Sequence, residues 1–333
     1  MRGFSTVLQA DSIETYGGGL FVCGTYSLRN DEATGRRWRE GLIHLVCADD
    51  AEERPRQSVA CGGVLDLKWR RGGEGLLASV ESEAGLGLLK LADGRLEPVL
   101  RGRLDRQRRA LAAEAPPGLI NLSADWSSEG RLAVSHDDGS VSLWEAEGPA
   151  LRCLHWWQGH DNEAWIVACH REAPHLLWTG GDDTALRGWD LRTGIGSGKH
   201  VFEARSGAGV TAAQHCGGPL WAVGGYDEQL QLRDERRPER PLAQLPGLGG
   251  GVWRIKRHPA PEQQHLWVLA CMRGGFRVVS YEEGVLRSRL HYTAHEAEAL
   301  AYGVDWLPER GRVACCSFYD ARCSLFDWPP PVP

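Results

Sequence analysis

No apolar run in this 333-residue sequence approaches the roughly 18 residues that a membrane-spanning helix needs. The first residues, MRGFSTVLQADS, also lack the apolar core of a signal peptide. None of the ten cysteines belongs to a C-x-x-C pair, and most stand inside apolar, strand-like segments. We therefore expect a cytoplasmic protein with no membrane partner, whose cysteines are reduced core residues and which holds no metal and no cofactor.

An excess of basic residues is missing as well. The chain has 44 acidic and 38 basic side chains, which gives a net charge of -6 and a pI near 6.1. Domains that bind nucleic acid carry a basic patch, so we predict no direct nucleic-acid partner. The G-x-S-x-G motif is also absent, which excludes an α/β-hydrolase with its serine elbow.

The chain contains a repeat, and its clearest copy is HWWQGHDNEAWIVACHREAPHLLWTGGDDTALRGWD, residues 155–190. A Gly159-His160 pair opens this copy, GGDD follows its second apolar run, and Trp189-Asp190 closes it. This order is the signature of a WD repeat, which forms one four-stranded blade of a β-propeller. We predict that His160 hydrogen-bonds to Asp183 in a buried polar ladder above Trp189, which is a structural role.

Weaker copies of the repeat run through the remaining sequence. Blades of about 40–45 residues would use most of the chain if there were seven of them. We therefore predict an all-β, seven-bladed WD-repeat β-propeller that forms a single domain over residues 1–333. The predicted blades span residues 11–60, 61–101, 117–157, 158–204, 205–246, 247–293 and 294–328.

The two ends of the chain predict how the ring closes. The last copy stops at its third strand, before three consecutive prolines that cannot continue a ladder. Residues 1–10, with an alternating strand at 4–10, are therefore predicted to pair with residues 311–328 and complete the last blade. The polar segments 29–40 and 104–117 are predicted to be surface loops.

The mouth of the central channel is predicted from the repeat itself. In a propeller, the turns between second and third strands and the loops that enter the first strands share one face. The residue before each turn aspartate is free of the ladder and points at that face. These positions hold Tyr26, Asp137, Asp182, Tyr226, Arg273 and Tyr319, and the first-strand starts add Glu163, Trp165, Trp253 and Tyr302.

Aromatic faces edged by carboxylates suit a quaternary ammonium ion, because each desolvated ring contact is worth about 0.5–2 kcal/mol of cation–π attraction. The simpler alternative is a protein-binding rim that happens to be aromatic. We predict that Asp182 or Glu228 balances the charge of the ligand. The predicted cage consists of Trp165, Tyr226, Trp253, Tyr302 and Tyr319.

Six strings carry a family resemblance: HDNEAWIVACH, WTGGDDTALRGWDLR, GGYDEQLQLRDER, GGVWRIKRHP, LAYGVDW and CSFYD. In this order they resemble the diphthine methyl ester hydrolase family of WD-repeat proteins, the diphthine methylesterases. The match is strong over residues 155–328 and weak over the first three blades. It implies a carboxylic ester hydrolase that removes the methyl ester from methylated diphthine on translation elongation factor 2, within diphthamide biosynthesis. Methylated diphthine carries a trimethylammonium group, which fits the predicted cage.

Two routes to this hydrolysis remain open on the residues. In one, His160 or Glu163 takes a proton from the attacking water, with Asp182 counted in the catalytic group. In the other, Ser317 or Cys271 is the nucleophile and a histidine is its base. The water route is favoured because both nucleophile candidates lie inside second strands. In either route Arg273 or a main-chain amide would stabilise the oxyanion.

Two other function classes compete with the enzyme. A non-catalytic WD-repeat scaffold would bind a protein partner through the channel mouth without turnover. A methyl-ammonium reader would use the same cage, again without chemistry. The number of acid and base groups near one mouth favours the enzyme over both. A closed propeller has no need to oligomerise, so a monomer is expected.

Overall fold

The computed structural model describes residues 2–49, 54–72, 75–105, 110–112, 118–147, 150–193, 199–293, 295–296 and 298–329. In these ranges the regular structure is β-strand, apart from short 3-10 helices at Pro261–Gln263 and Pro308–Arg310. The described strands form seven antiparallel, four-stranded blades, so the predicted all-β propeller is confirmed.

The first three blades follow one another along the chain, each built from consecutive strands. Blade one comprises β2 (Gln9–Gly17), β3 (Leu20–Asn30), β4 (Arg37–Cys47) and β5 (Gln57–Gly62). Blade two comprises β6 (Val64–Trp69), β7 (Leu76–Glu81), β8 (Gly85–Ala92) and β9 (Arg95–Asp105). After β10 (Ala110–Ala112), blade three comprises β11 (Asn121–Trp126), β12 (Leu132–His136), β13 (Ser140–Glu147) and β14 (Ala150–Gln158).

The later blades repeat this order. Blade four comprises β15 (Ile166–Cys169), β16 (Leu176–Gly180), β17 (Ala185–Asp190) and β18 (Phe202–Arg205). Blade five comprises β19 (Val210–His215), β20 (Leu220–Gly225), β21 (Leu230–Asp234) and β22 (Pro241–Leu245). Blade six comprises β23 (Arg254–Arg257), β24 (Leu266–Ala270), β25 (Phe276–Glu282) and β26 (Val285–Tyr292). Blade seven comprises β27 (Ala301–Leu307), β28 (Arg312–Ser317), β29 (Arg322–Asp327) and β1 (Arg2–Ser5).

The N-terminal strand closes the ring, as predicted. β1 pairs antiparallel with β29, with Gly3 opposite Ser324, and so supplies the outer strand of blade seven. The predicted single strand over residues 4–10 is wrong in detail, because the chain turns between β1 and β2. The Thr6 hydroxyl donates to the Leu8 carbonyl at 2.6 Å, and Val7 has a positive φ of 69°. The chain can therefore leave blade seven and enter blade one within three residues.

Both predicted surface loops contain strand. β3 and β4 extend the hairpin of blade one to Asn30 and Arg37, so half of segment 29–40 is paired. Within segment 104–117, β10 pairs with β9 on one side and β14 on the other. Blades two and three are thereby joined edge to edge in one nine-stranded sheet. Polarity alone misled the prediction, because outer strands of a propeller face solvent and need few apolar residues.

The first strand of each blade lines the central channel. Consecutive first strands contact one another around the ring, and β2 meets β27 where the ring closes. The apolar core lies between the faces of neighbouring blades. Trp178 of blade four, for example, stacks on Trp221 of blade five with ring centroids 4.2 Å apart. The first strands are therefore held on both sides, and their two ends define two separate openings of the channel.

A polar ladder ties blade four together. The Trp189 Nε1–H donates to the Thr179 hydroxyl at 2.8 Å, which lies 2.7 Å from His160 Nε2. His160 Nδ1 lies 2.9 Å from an Asp183 carboxylate oxygen. Although burial raises it, the hydrogen bond from His160 holds the pKa of Asp183 well below its usual range. The ladder is the structural one that the repeat predicts.

Candidate functional site

Aromatic side chains from five blades form a continuous series at one opening of the channel. From each ring to the next, the centroids lie 4.8–6.2 Å apart. All five predicted cage residues belong to the series, so the structure brings them together. We call this set the aromatic mouth; it comprises Tyr26, Trp165, Tyr226, Trp253, Tyr302, Phe318 and Tyr319.

Two rings of the mouth meet at a right angle. Trp165 stands just before β15 and Tyr226 just after β20, and their centroids are 6.2 Å apart with an interplanar angle of 90°. Trp253 is less available, because Tyr302 stacks on it at 4.8 Å and the Arg254 guanidinium carbon lies 5.7 Å from its centroid. We call the pair Trp165 and Tyr226 the aromatic corner; its Tyr226 ring is 38% exposed.

Glycines seat the Tyr226 ring. A Cβ atom on Gly209 would lie 3.0 Å from one ring carbon of Tyr226, and a Cβ on Gly251 would lie 3.1 Å from another. Both distances are shorter than carbon–carbon van der Waals contact. A side chain at either position would therefore displace the ring, so the loops entering blades five and six fix one wall of the corner.

Carboxylates edge the aromatic corner. The Trp165 Nε1–H donates to an Asp182 oxygen at 3.0 Å, which holds the indole in place. Asp182 in turn donates its backbone N–H to the Glu163 carbonyl at 2.9 Å. Burial, followed by the charges of Asp182 and Glu163, raises the pKa of Tyr226 to about 12. The phenol is thus neutral at physiological pH, with two carboxylates close to it.

Asp11 on β2 is a further acid at the mouth, and the sequence analysis missed it. Its side chain is buried, and it accepts a hydrogen bond from Trp253 Nε1 at 3.3 Å. Burial raises the pKa of Asp11 to about 7, although the Arg254 guanidinium opposes the rise. Asp11 also helps to raise the pKa of Tyr26 and Tyr302, which lie around it. The group is therefore close to half-ionised at neutral pH.

Asp11 was missed because it lies inside an alternating strand, and only turns and strand starts were searched. Phe318 was missed for a different reason, because only the residue directly before each turn aspartate was considered. It precedes Tyr319 in the turn after β28 and links Tyr26, at 4.9 Å, to Tyr302, at 5.5 Å. Its neighbour Tyr319, which was predicted, is 65% exposed and contacts only the outer side of the series.

Three predicted site residues lie away from the corner. His160 is 1% exposed and both of its ring nitrogens are used in the blade-four ladder, so neither nitrogen is free for the predicted catalytic role. Glu228 and Arg273 are exposed on neighbouring turns. Among the described residues, neither has a hydrogen bond from its side chain to the aromatic mouth. Turn position alone predicted their place on the face but not their distance from the rings.

The two nucleophile candidates are buried. Ser317 is fully buried, donates its hydroxyl to Asp320 and lies beside His295 Nδ1, in the blade-seven counterpart of the polar ladder. Cys271 is also fully buried, and burial raises the pKa of its thiol to about 12. Neither side chain reaches the channel mouth, so the second predicted route has no exposed nucleophile.

One group of potential metal ligands occurs in the described part of the chain: His170, His215 and Glu235. The Nδ1 atoms of both histidines already accept backbone N–H groups at 2.9–3.1 Å. His170 Nε2 lies 3.3 Å from Glu235, and His215 Nε2 lies 2.8 Å from the Gly218 carbonyl. The ring nitrogens of both histidines thus already have partners within the protein, and the cluster is a structural contact between blades four and five.

Among the described residues, no helix is long and apolar enough to cross a membrane. The fold and its channel mouth define a WD-repeat β-propeller with an acid-edged aromatic opening. In overall fold the chain is similar to one in the crystal structure of the mitotic checkpoint complex, with a TM-score of 0.71, 14% identity, and coverage of 98% of this chain and 93% of that one. This likeness concerns the fold alone. No protein-family model matches the chain.

Relatives in sequence identify the family of the chain, which the likeness in fold does not. The chain is 31% identical to the diphthine methyltransferase of Homo sapiens, over 92% of this chain and 74% of the relative. It is 30% identical to the diphthine methyltransferase of Schizosaccharomyces pombe, over 92% of this chain and 90% of the relative. It is 28% identical to a diphthine methyltransferase homologue from Dictyostelium discoideum, over 95% of this chain and 96% of the relative. The chain belongs to the diphthine methyltransferase family. The predicted resemblance to a diphthine-directed WD-repeat family is therefore confirmed.

The predicted reaction class is wrong. The relatives carry the name of a methyltransferase, which contradicts the prediction of a carboxylic ester hydrolase. That prediction rested on the family resemblance and on the number of acids and bases at the mouth. The structure uses His160 in a blade ladder and Asp182 to hold an indole, so the count of free acid–base groups was too high.

Proposed function

We propose that this protein binds the quaternary ammonium group of the diphthine side chain of translation elongation factor 2 at the aromatic mouth. We further propose that it takes part in the methyl-group chemistry of diphthine, as a step in diphthamide biosynthesis. Membership of the diphthine methyltransferase family supports the substrate class. The elongation factor would meet the protein in the cytoplasm and dock over the mouth of a propeller monomer.

The aromatic corner is the observation that carries the proposal. The two rings lie 6.2 Å apart at an interplanar angle of 90°, and the carboxylates of Asp182 and Glu163 lie close enough to act on them. A trimethylammonium ion is attracted to ring faces and cannot donate a hydrogen bond, so it needs no polar partner in such a site. A neutral ligand of the same shape would gain the apolar contact and lose the attraction.

The acids have distinct parts in this proposal. Asp182 holds Trp165 in place and adds a negative charge close to the bound cation. Glu163 adds a second charge near Tyr226. Asp11 lies deeper, below Trp253, and a bound cation would favour its ionised form. Ammonium binding should therefore weaken as the pH falls through about 7 and Asp11 takes up a proton.

A methyl donor of the sulfonium class is itself an onium ion. The ring faces of Trp165 and Tyr226, edged by carboxylates, suit such a cation as they suit the ammonium group. The chain's own residues would bind and orient the ion at this opening, and Tyr226 would remain a neutral phenol while doing so.

The direct test follows the methyl count of the diphthine residue on elongation factor 2 by mass spectrometry. Factor carrying a methylated diphthine intermediate is incubated with this protein, with and without a sulfonium methyl donor. With the donor present, the parent protein is expected to transfer one methyl group from the sulfonium to the residue, and Trp165→Ala is expected to do so much more slowly. Tyr281→Ala, on β25 away from the mouth, is the matched control and should behave like the parent.

An unchanged methyl count in every reaction would refute the chemical part of the proposal. If the factor still bound in a Trp165-dependent way, the protein would be a reader of the ammonium group. If binding were also independent of Trp165, the aromatic mouth would have no part in recognising diphthine.

A further inference from the structure

The opposite opening of the channel leads into a cavity of about 490 Å³. It lies at the far ends of the first strands, where β6, β15 and β23 finish. From Trp165 to Arg171 the chain advances six residues, or about 20 Å if fully extended, so this cavity is remote from the aromatic corner. Its volume falls in the range typical of small-molecule sites.

Small side chains create this space. β15 and β19 present Ala168, Ala212 and Ala213 to the cavity. The corresponding parts of β6 and β23 carry Lys68 and Lys256, whose long side chains fill the opposite side of the channel.

Charges deep in the cavity are paired. Glu14 contacts both Lys68, at 2.8 Å, and Lys256. Lys256 also lies 3.4 Å from Asp305, and Arg254 lies 3.3 Å from Asp66. These groups are buried, and each cation lies beside a carboxylate. The deep part of the cavity therefore holds little net charge. We call this set the ion-pair layer; it comprises Glu14, Asp66, Lys68, Arg254, Lys256 and Asp305.

The outer part of the cavity is different, because among the described residues none of its arginines forms a salt bridge with a carboxylate. The fourth lining carboxylate, Asp125, acts on Arg171 only through its charge and accepts the Cys169 backbone N–H at 2.9 Å. Among the described lining residues, seven cations face four carboxylates, although the whole chain has a net charge of -6. The excess consists of arginines that follow or end the first strands. Arg70 lies over the Trp126 ring at 5.9 Å. Arg71, Arg171 and Arg257 form what we call the arginine end.

Arg171 is the centre of the arginine end. Its Nε atom is buried and has no hydrogen-bond partner. Burial, followed by repulsion from Arg71, lowers the pKa of Arg171 to about 10, and Arg257 contributes further repulsion. Arg257 is fixed from the other side, since its Nε–H donates to the Gln264 carbonyl at 2.6 Å. The guanidinium group of Arg171 is therefore repelled by those of Arg71 and Arg257 in a partly buried site. A bound anion would offset this electrostatic repulsion.

We propose that the arginine end binds a compact, multiply charged anion, a phosphate or a phosphate ester, on Arg71, Arg171 and Arg257. Guanidinium groups donate paired hydrogen bonds to phosphate oxygens, and converging arginines are the usual protein partners of such a group. The ligand would satisfy the buried Nε of Arg171 and neutralise the repulsion. The site is independent of the aromatic mouth and of the function proposed for it.

The test is a calorimetric titration of the full chain with pyrophosphate, inorganic phosphate and a nucleoside triphosphate, at an ionic strength held constant with sodium chloride. The parent should bind at least one of them. Arg171→Gln should weaken the binding by about tenfold or more. Arg95→Gln, an exposed arginine at the β8–β9 turn, is the matched control and should bind like the parent.

The three anions separate the possible sources. Binding of inorganic phosphate or pyrophosphate alone would indicate a free phosphate ion, and tighter binding of the nucleotide would indicate an ester whose organic part occupies the cavity. No heat with any of the three, or equal affinity of Arg171→Gln and the parent, would overturn the proposal. If Arg171→Gln does not fold, Arg71→Gln on the exposed turn after β6 replaces it, with the same expected loss.

Thermal unfolding gives a second readout. Without phosphate, Arg171→Gln should unfold at a higher temperature than the parent, because it removes a half-buried cation whose Nε has no hydrogen-bond partner and which Arg71 and Arg257 repel. With phosphate, the parent should gain stability and the variant should gain little. A parent that is unaffected by phosphate at constant ionic strength would contradict the proposal.

Discussion

The two openings of the channel are built on the same strands and differ in nearly every chemical respect. On β15 the chain enters past Trp165 and leaves towards Arg171, and on β23 it enters past Trp253 and ends at Arg257. One opening offers ring faces and carboxylates, and the other offers guanidinium groups that form no salt bridge within the described residues. The middle of each first strand is packed between neighbouring strands. The side chains at its two ends are less constrained by this packing, so the two openings can differ in composition.

The ion-pair layer separates these openings. Lys256 of β23 is buried against Glu14 of β2, and Asp305 of β27 lies on its other side. Although burial opposes it, the two lysines hold the pKa of Glu14 below its usual range. Asp11, three residues earlier on β2, forms no salt bridge among the described residues, and burial raises its pKa. The boundary between the two electrostatic environments therefore falls within one strand.

The largest expected effect comes from breaking the ion-pair layer. Lys256→Met should lower the free energy of unfolding by about 3–5 kcal/mol, because it leaves Glu14 short of a partner in a buried site. Urea denaturation measures the change. Lys199→Met, which alters an exposed lysine, should change the same quantity by less than about 0.5 kcal/mol. Similar small effects for both variants would show that the layer is not a stabilising boundary.

A pH-dependent effect is expected from Asp11→Asn. The folded-state pKa of Asp11 is raised, so the stability that its protonated form contributes is complete below the ordinary carboxyl pKa and is lost as the pH rises through about 7. Asparagine stays neutral and can still accept from Trp253. Relative to the parent, the variant should gain roughly 2–3 kcal/mol between pH 5 and pH 8. A difference that does not vary with pH would mean that Asp11 ionises normally.

At the aromatic mouth, Trp165→Ala should weaken the binding of tetramethylammonium by about tenfold, the loss of roughly 1–2 kcal/mol from one ring contact. Trp165→Phe keeps a ring face of lower cation affinity and should lose less. Fluorescence titration through the other tryptophans follows the binding. Equal affinity of the alanine variant and the parent would place the ammonium site elsewhere. Phosphate affinity should be the same in all three proteins.

The smallest effect is expected from Asp182→Asn. Asparagine can still accept the Trp165 hydrogen bond, so the substitution removes charge and keeps position. Tetramethylammonium affinity should fall by about two- to fivefold at low salt, and the difference should shrink as salt screens the half-exposed carboxylate. A loss that is independent of salt would indicate that the indole had moved.

The repeat predicted the blades and the closure of the ring because both follow from local patterns. In a propeller, the GGDD turn and Trp189-Asp190 have fixed places in a blade. The incomplete last copy needs one further strand, which the N-terminal segment supplies. β10 was not predicted, since a three-residue strand between two outer strands has no apolar period of its own. The sequence could not show whether the Arg273 side chain reaches the rings, because the distance between side chains of different blades does not follow from a single repeat.

The aromatic mouth was predictable in part for the same reason. Trp165, Tyr226 and Trp253 stand at positions that every blade directs to one face, so their meeting could be predicted from the alignment of copies. The arginine end was not predicted, although Arg171 and Arg257 stand at equivalent strand ends. Whether an arginine there has a partner depends on residues from other blades, and the alanines that open the cavity carry no chemical signal.

The most direct test of the aromatic mouth compares choline with its uncharged carbon isostere, which has the same shape. Binding is followed by the indole N–H resonance of Trp165 in the parent protein, with Trp165→Phe used to assign the signal. We expect choline to shift this resonance with several-fold higher affinity than the isostere, because only the cation is attracted to the rings and the neighbouring carboxylates. Equal affinities, or a Trp165 resonance that neither ligand shifts, would contradict the assignment of this opening as an ammonium site.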